Sequence, residues 1–319
     1  MGEAIVAPDL EPAPRRRWWR RPSLLPYALI TPSVAVIVGV LAFPLGMLGW
    51  LSLQNYGLRE LIAHQGQWVG LDNYKTILID PLFRQVVLRT LLFTLACVAL
   101  TIVLSTLISL LLLRVRQAIR VLVASALVLV WATPVIVTVD VWQWMFDYEF
   151  GVINYLLTQL HIGNYIHHNW FDNPVQGLSV IVLIVVWGAI PFATITLFAG
   201  LLQVPGDLID AARVDGANAW QAFWHITVPI LKPIFLIVTC LSTIWDFGVF
   251  NQIYVLLNQR PSSDYYTIAI YSYRESFGVT KYGLGATIAV IMVLILVAVT
   301  FFYVKETLEV AEVKTEATA

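Results

Sequence analysis

The chain has 319 residues, of which 59% are hydrophobic and only 12% charged, and its formal net charge is −1. That apolar content exceeds what a soluble domain needs, and several runs pass the roughly 20 apolar residues that a bilayer-crossing helix requires. A soluble globular protein is therefore excluded and a polytopic membrane protein expected. Its two cysteines, Cys97 and Cys240, lie in apolar runs and read as small core residues, with no disulfide or metal framework implied.

Residues 1–24 read as a disordered cytoplasmic tail whose Arg15-Arg16-Arg17-Trp18-Trp19-Arg20-Arg21 run anchors at a membrane surface. The first span is expected over about Leu25–Leu53, kinked at Pro32 and Pro44, and it is too long for a cleavable signal peptide. An extramembrane loop, Asn55–Val86, carries Gly70-Leu71-Asp72-Asn73-Tyr74. The second span follows over about Thr90–Leu113, and a basic hairpin (Arg114, Arg116, Arg120) leads to the third, about Val121–Phe146. A second loop, Asp147–Gly177, holds His161, His167, His168 and Asp172, and the fourth span follows over about Leu178–Leu202. The fifth span is expected over about Ile230–Leu257, a third loop over Asn258–Lys281, the sixth span over Tyr282–Val304, and a polar disordered cytoplasmic tail over 305–319.

Six spans put both termini on one side. That side carries 12 Lys and Arg against 7 on the other, and the opposite loop Asp147–Gly177 has none. By the positive-inside rule both termini and the loop after the fourth span are cytoplasmic.

That loop, within Leu201–Pro233, is the most informative stretch. Pro205-Gly206-Asp207 breaks the preceding helix, with Asp207 expected as N-cap. Leu208, Ala211 and Ala212 then give a short apolar helical face. Gly216 makes an elbow, Asn218 caps a second short helix through Trp220, Phe223 and Trp224, and Pro229 and Pro233 close the segment. An amphipathic interfacial helix fits these local features. Asp210-Ala211-Ala212, three residues, Gly216, nine residues, then Ile226-Thr227-Val228-Pro229 resembles the EAA loop of ABC importer permeases. Asp210 stands in place of Glu and Val228 in place of Leu. The longer run AARVDGANAWQAFWHITVPILKP resembles the carbohydrate branch of that family, of maltose and glycerol-3-phosphate type. The Gly70–Tyr74 run, Trp187 with Pro191-Phe192, and Phe250-Asn251-Gln252-Ile253-Tyr254 resemble the branch too, although NQRPSS at Asn258–Ser263 replaces its glycine-rich turn.

Other candidates for chemistry are fewer. No G-x-x-x-x-G-K-[ST] phosphate loop occurs, so ATP hydrolysis by this chain is not expected. The histidine cluster lacks a helical H-x-x-x-H pair and is read as a polar external loop, with no metal site. Asp140 and Asp246 lie in apolar spans, where an ionised group costs at least a few kcal/mol unless paired or wet. Asp140 either snorkels to the interface or joins a site. Asp246, flanked by Trp245 and Phe247, either bridges helices or meets sugar hydroxyls beside aromatic faces; a proton relay is a third reading. Pro191 frees a backbone carbonyl in the fourth span, which suits either a cavity wall or plain helix packing.

The resemblance implies an all-α integral membrane protein of the MetI-like ABC importer permease fold, with a six-span permease domain over 25–304, a core of about 87–304 and a coupling loop at 205–229. It implies no catalytic residue in this chain. Coupling to an ATPase falls to Asp210, Ala211, Ala212, Asp215, Gly216 and Ala217. A substrate path is assigned to Trp187, Trp245, Asp246, Asn251 and Tyr254. The implied partners are a second permease in a heterodimer, two ATPase subunits that hold ATP and Mg, and an external solute-binding protein. The setting is the bacterial inner membrane with its lipid, with no nucleic acid. The implied substrate is a di- or oligosaccharide. An ion-gradient-driven secondary transporter of a small polar solute is the alternative, although no internal repeat of the kind such folds show is visible.

Overall fold

A computed structural model describes residues 25–316, with side-chain environments for 26–307. The basic tail 1–24 and the last residues of the C-terminal tail lie outside the described residues. The chain divides into two units, Met1–Met47 and Leu48–Ala319.

In the first unit, α1 (Leu25–Ile37) contains Pro32 and is followed by a π turn, Val38–Ala42. The turn immediately precedes α2 (Phe43–Ser52), whose second residue is Pro44. A proline ring collides with the carbonyl four residues back, and the wider π turn removes that collision without ending the helix. Every described side chain of this unit is exposed, including Tyr27, Leu29 and Phe43.

The second unit is a helical bundle with a structured cap at one end. A two-stranded ribbon of β1 (Gln54–Asn55) and β2 (Gln67–Trp68) brackets α3 (Leu58–Ala63), and α4 (Asp72–Ile79) follows. Asn73 ties this region down, its Nδ2 donating to the carbonyls of Ser52 and Gln54 at 2.9 and 2.8 Å. The expected loop before the second span is thus mostly helical. The span itself is longer than expected: α5 runs Pro81–Arg114 because Asp80 caps it, accepting from the Leu82 N–H at 3.0 Å, and Pro81 fits the first turn.

The third span is not continuous. α6 (Gln117–Ala132) and α7 (Val135–Met145) meet at 99° across Thr133-Pro134, so the expected span is broken there, and the pair is apolar enough to cross a membrane only when taken together. α8 (Val152–Gln159) lies in the following loop, and α9 (Pro174–Leu201) starts before the expected Leu178 because Asn173 caps it, accepting from Val175 and Gln176 N–H. Among the described residues, five helices are long and apolar enough to cross a membrane, or six with the bent pair counted as one span.

α5 and α9 pack along each other. Thr90, Thr94, Thr101, Ser105 and Ser109 form a buried stripe on α5; small side chains of this kind let membrane helices approach closely. Ser105 and Ser109 Oγ donate to the Ile190 and Thr194 carbonyls of α9 at 3.3 and 2.9 Å.

After α9 come α10 (Gly206–Val214), α11 (Ala219–Ala222), a π turn (Phe223–Thr227) and α12 (Val228–Phe247). α12 ends at Phe247, ten residues before the expected end of the fifth span at Leu257, and a short α13 (Asn251–Leu256) follows. The expected third loop is largely ordered as α14 (Ile268–Tyr273) and a π turn, Arg274–Gly278, with Ile268, Ile270 and Tyr271 buried. Long-range bonds hold it: Arg89 donates to the Ser263 and Tyr266 carbonyls, the Ile268 N–H donates to Thr90 Oγ1, and the Tyr271 hydroxyl donates to Asp80 Oδ2 at 2.7 Å. Burial and that bond push the Tyr271 phenol above its ordinary range. α15 (Tyr282–Glu316) continues as helix past the expected end at Val304, in the stretch read as a disordered tail, and Lys232 of α12 pairs with its Glu306 at 3.5 Å.

Candidate coupling segment and intramembrane cavity

The segment after α9 is a rigid two-helix element. Asp207 does not cap α10: the N-cap is Pro205, and Asp207 sits in the first turn, where its charge still complements the helix dipole. At the other end the Gly216 N–H donates to the Arg213 carbonyl at 3.1 Å and the Ala217 N–H to the Ala212 carbonyl at 2.9 Å. Gly216 has φ +84°, so this is a Schellman ending, with the glycine in the left-handed region where a side chain is disfavoured. Nothing lies within 4 Å of where its Cβ would stand, so the demand for glycine is torsional and does not come from crowding.

Asn218 opens the second helix through a reciprocal capping box: its Oδ1 accepts from the Gln221 N–H at 2.9 Å, and its own N–H donates to Gln221 Oε1 at 2.8 Å. Pro229 and Pro233 do not close the segment. The π turn Phe223–Thr227, in which the Val228 N–H reaches back to the Phe223 carbonyl, accommodates Pro229, so that Ala219–Phe247 forms one helical run. Pro233 lies inside that helix. The coupling candidates divide by exposure. Asp210, Ala211, Asp215 and Gly216 face outward, while Ala212 and Ala217 are half-buried. Asp210 bonds Arg213 at 3.0 Å, a pair so exposed that it contributes only a few tenths of a kcal/mol. Leu208, Ala211 and Val214 form an outward apolar stripe, with Val214 88% exposed. Behind α10, a groove of about 350 Å³ separates it from the ends of α5 and α9. Arg120 of the basic hairpin closes the end of α5: its Nε donates to the Leu112 carbonyl at 2.9 Å, and its guanidinium lies over the Phe198 ring.

The second site is a cavity of about 270 Å³ at the α6–α7 bend, walled by α9 and the end of α12. Trp187, Trp245 and Asp246 all line it. Pro191, four residues after Trp187 in α9, supplies no N–H, so the Trp187 carbonyl lacks its usual helical donor. Asp246 is 3% exposed, and its Oδ2 has no hydrogen-bond partner among the described residues. Within α12 it occupies the last turn, where the helix dipole disfavours a carboxylate. No bridge from Asp246 to another helix is seen among the described residues.

Asn251 and Tyr254 are not part of this cavity. Asn251 is exposed, and Tyr254 packs among Phe250 and Tyr273, with ring centroids 5.0 and 5.2 Å away. Gln252 lines the cavity instead, together with Trp131, Phe192 and Thr138. Gly248–Phe250 interrupts the helix, so spacing from Asp246 could not say which of Asn251 and Gln252 shares its cavity. Trp131 and Thr138 arrive through the bend at Pro134. Asp140, on α7, is exposed and does not line it.

The histidines of the loop between α7 and α9 are engaged separately. His168 Nε2 lies 3.2 Å from Gln176 Oε1 and its ring stands edge-on to Trp170, while His167 packs beside Tyr148. Asn154 organises that loop, donating to the His168 carbonyl at 3.0 Å and accepting from Trp170 Nε1 at 2.6 Å. Asp147 caps its start. Bonds from the Phe150 and Glu149 N–H groups hold its carboxyl below the usual range.

Residues 113–306 match the family described as binding-protein-dependent transport system inner membrane component. The chain belongs to this family of permeases. The permease is 37% identical to the diacetylchitobiose uptake system permease protein DasB of Streptomyces coelicolor, over 92% of this chain and 89% of that one. It is 30% identical to the trehalose/maltose transport system permease protein MalF of Thermococcus litoralis, over 89% and 94%. Among solved structures, a bacterial ABC transporter involved in import of the acidic polysaccharide alginate superposes with a TM-score of 0.74 at 19% identity, covering 89% of this chain and 95% of that one, which establishes the shared fold. The MetI-like permease fold expected from the sequence is therefore the fold of this protein.

Proposed function

We propose that the permease is the membrane subunit of an ATP-driven importer that carries a sugar, a di- or oligosaccharide, released to it by an external binding protein. The observation that carries this reading is the exposed two-helix segment, which runs without a break from Ala219 into the helix bearing Asp246. Force applied at α10 passes through a Schellman elbow and one helical run to the wall of the cavity. The coupling surface comprises Asp210, Ala211, Ala212, Asp215, Gly216 and Ala217, extended by Leu208 and Val214. The engine is a pair of ATPase subunits that bind ATP and Mg; this chain is non-catalytic. A second permease completes the pathway as a heterodimer. The charge asymmetry of the loops supports cytoplasmic termini in a bacterial inner membrane.

Sugar is supported by the names of the relatives and by the chemistry of the cavity: Trp187 and Trp245 offer aromatic surface, and Asp246 and Gln252 offer hydrogen bonds. Closure of the ATPase pair shifts the permease between inward- and outward-open states only through contacts at the coupling segment that differ in strength between them. One observation favours ion-gradient coupling, namely a lone buried carboxylate in a membrane helix. Purification through a tag on this chain separates the two readings. Retention of an ATP-hydrolysing subunit is the expected result; a chain that purifies without one and transports on a proton or sodium gradient would support the other.

A further inference from the structure

Asp246 is more than a neutral sugar requires. Hydroxyls are satisfied by amides such as Gln252, without the several kcal/mol that burying an ion costs. Yet the cavity holds a carboxylate that is 3% exposed, with an Oδ2 that has no partner among the described residues and a place in a helix turn of the wrong polarity. None of the cavity-lining residues is Lys, Arg or His, so its own walls provide no counter-charge. The remaining walls are mostly aliphatic, with four aromatic side chains among them. Trp131, Trp187, Phe192 and Trp245 all line the space, with Phe192 edge-on to Trp245 at 5.1 Å and stacked with Trp131 at 6.4 Å. Aromatic faces are negative and attract cations most strongly when desolvated. The carboxylate points to a positively charged group and repels an anion, and the aromatic side chains are compatible with either a cation or a sugar face.

We propose that this cavity selects a protonated amine, so that the cargo is an amino sugar or an oligosaccharide carrying a free ammonium group. This narrows, and rests on, the reading of the cavity as the sugar path. The ammonium supplies the counter-charge that Asp246 lacks, and the aromatic walls take the ring faces. An N-acylated sugar loses the charge, and a uronate meets repulsion from Asp246.

The test uses the assembled complex in lipid nanodiscs without its binding protein, so that the membrane cavity alone reads the ligand. Calorimetric titrations compare cellobiose, the free-amine disaccharide of glucosamine, its N-acetylated form and a uronate-bearing disaccharide. The free amine is expected to bind about tenfold or more tightly than cellobiose or the acetylated form, the scale of one buried charge-assisted bond. In Asp246→Asn that ratio should fall to about one. Gln252→Lys, which places a cation in the same cavity, should abolish it as well and raise uronate binding; this second variant decides the matter if the first does not assemble. Equal binding of amine and acetylated forms, or a preference that survives Asp246→Asn, overturns the proposal. If cellobiose and the amine bind alike and Trp187→Ala weakens both, the sugar path stands and the charge selection falls. If the wild-type cavity binds no saccharide at all, both readings fall.

Discussion

Replacing Gly216 by valine tests the mechanical role of the coupling segment at one atom's remove. The residue has φ +84° and closes α10 through two bonds, Gly216 N–H to Arg213 and Ala217 N–H to Ala212. Open space surrounds the position, so no clash complicates the outcome. The left-handed conformation costs an L-residue about 1–2 kcal/mol, and a β-branched one is a genuine outlier there. That cost sets against the Schellman bonds, and it lowers the population of the native elbow by a factor of about 5–30. The spans are untouched, so membrane insertion should be normal, while substrate-stimulated ATP hydrolysis and uptake in proteoliposomes should fall together. Gly216→Ala should fall less. Gly206→Ala, at a site with equal space and no positive φ, should behave as wild type. Wild-type coupling in an inserted, fully assembled Gly216→Val complex would refute the reasoning.

Three further outcomes follow from named contacts. Asp246→Ala and Trp187→Ala should each raise the sugar concentration for half-maximal uptake about tenfold or abolish uptake, with the ATPase still bound; unchanged substrate dependence at equal abundance would remove both from the path. A Cβ at Gly177 would overlap the Tyr265 ring, whose hydroxyl donates to the Phe171 carbonyl at 2.8 Å, so Gly177→Val should lower the Tm of the purified complex by a shift equivalent to about 1–3 kcal/mol; an unaltered Tm would contradict that packing. Asp147 has a folded pKa below its ordinary 3.8, so its capping contribution is present above that value and lost as pH falls through the lowered one. Amide protection at Glu149 and Phe150 should drop over that acid window in wild type, and Asp147→Asn should remove the pH dependence.

The apolar helices and the elbow of the segment after α9 were legible because both are written locally. Long apolar runs declare spans, and Gly216, Asn218 and Gln221 sit at the spacings that a Schellman ending and a capping box demand. Helix starts were legible in principle at Asp80-Pro81 and Asn173-Pro174, where an N-cap residue precedes a proline; hydropathy alone placed those ends too late. The prolines misled at Pro229, since local rules end a helix there and a π turn carries it through. The cavity was half legible. A buried Asp beside Trp245 marks itself as costly, but Gln252, Trp131 and Thr138 reach it only because the chain breaks at Gly248–Phe250 and bends at Pro134. The threonine and serine stripe of α5 went unread in the sequence, although small polar residues at helical spacing within an apolar span signal it; its partner carbonyls on α9 carry no sequence signal.

ATP-dependent uptake by the reconstituted complex tests the proposed function most directly. Proteoliposomes holding this permease with its partner subunits, ATP inside and the binding protein with labelled sugar outside, should accumulate sugar only when both ATP and binding protein are present, and Gly216→Val should lower that accumulation. Accumulation driven by a proton or sodium gradient with ATP omitted, undiminished in Gly216→Val, would contradict it.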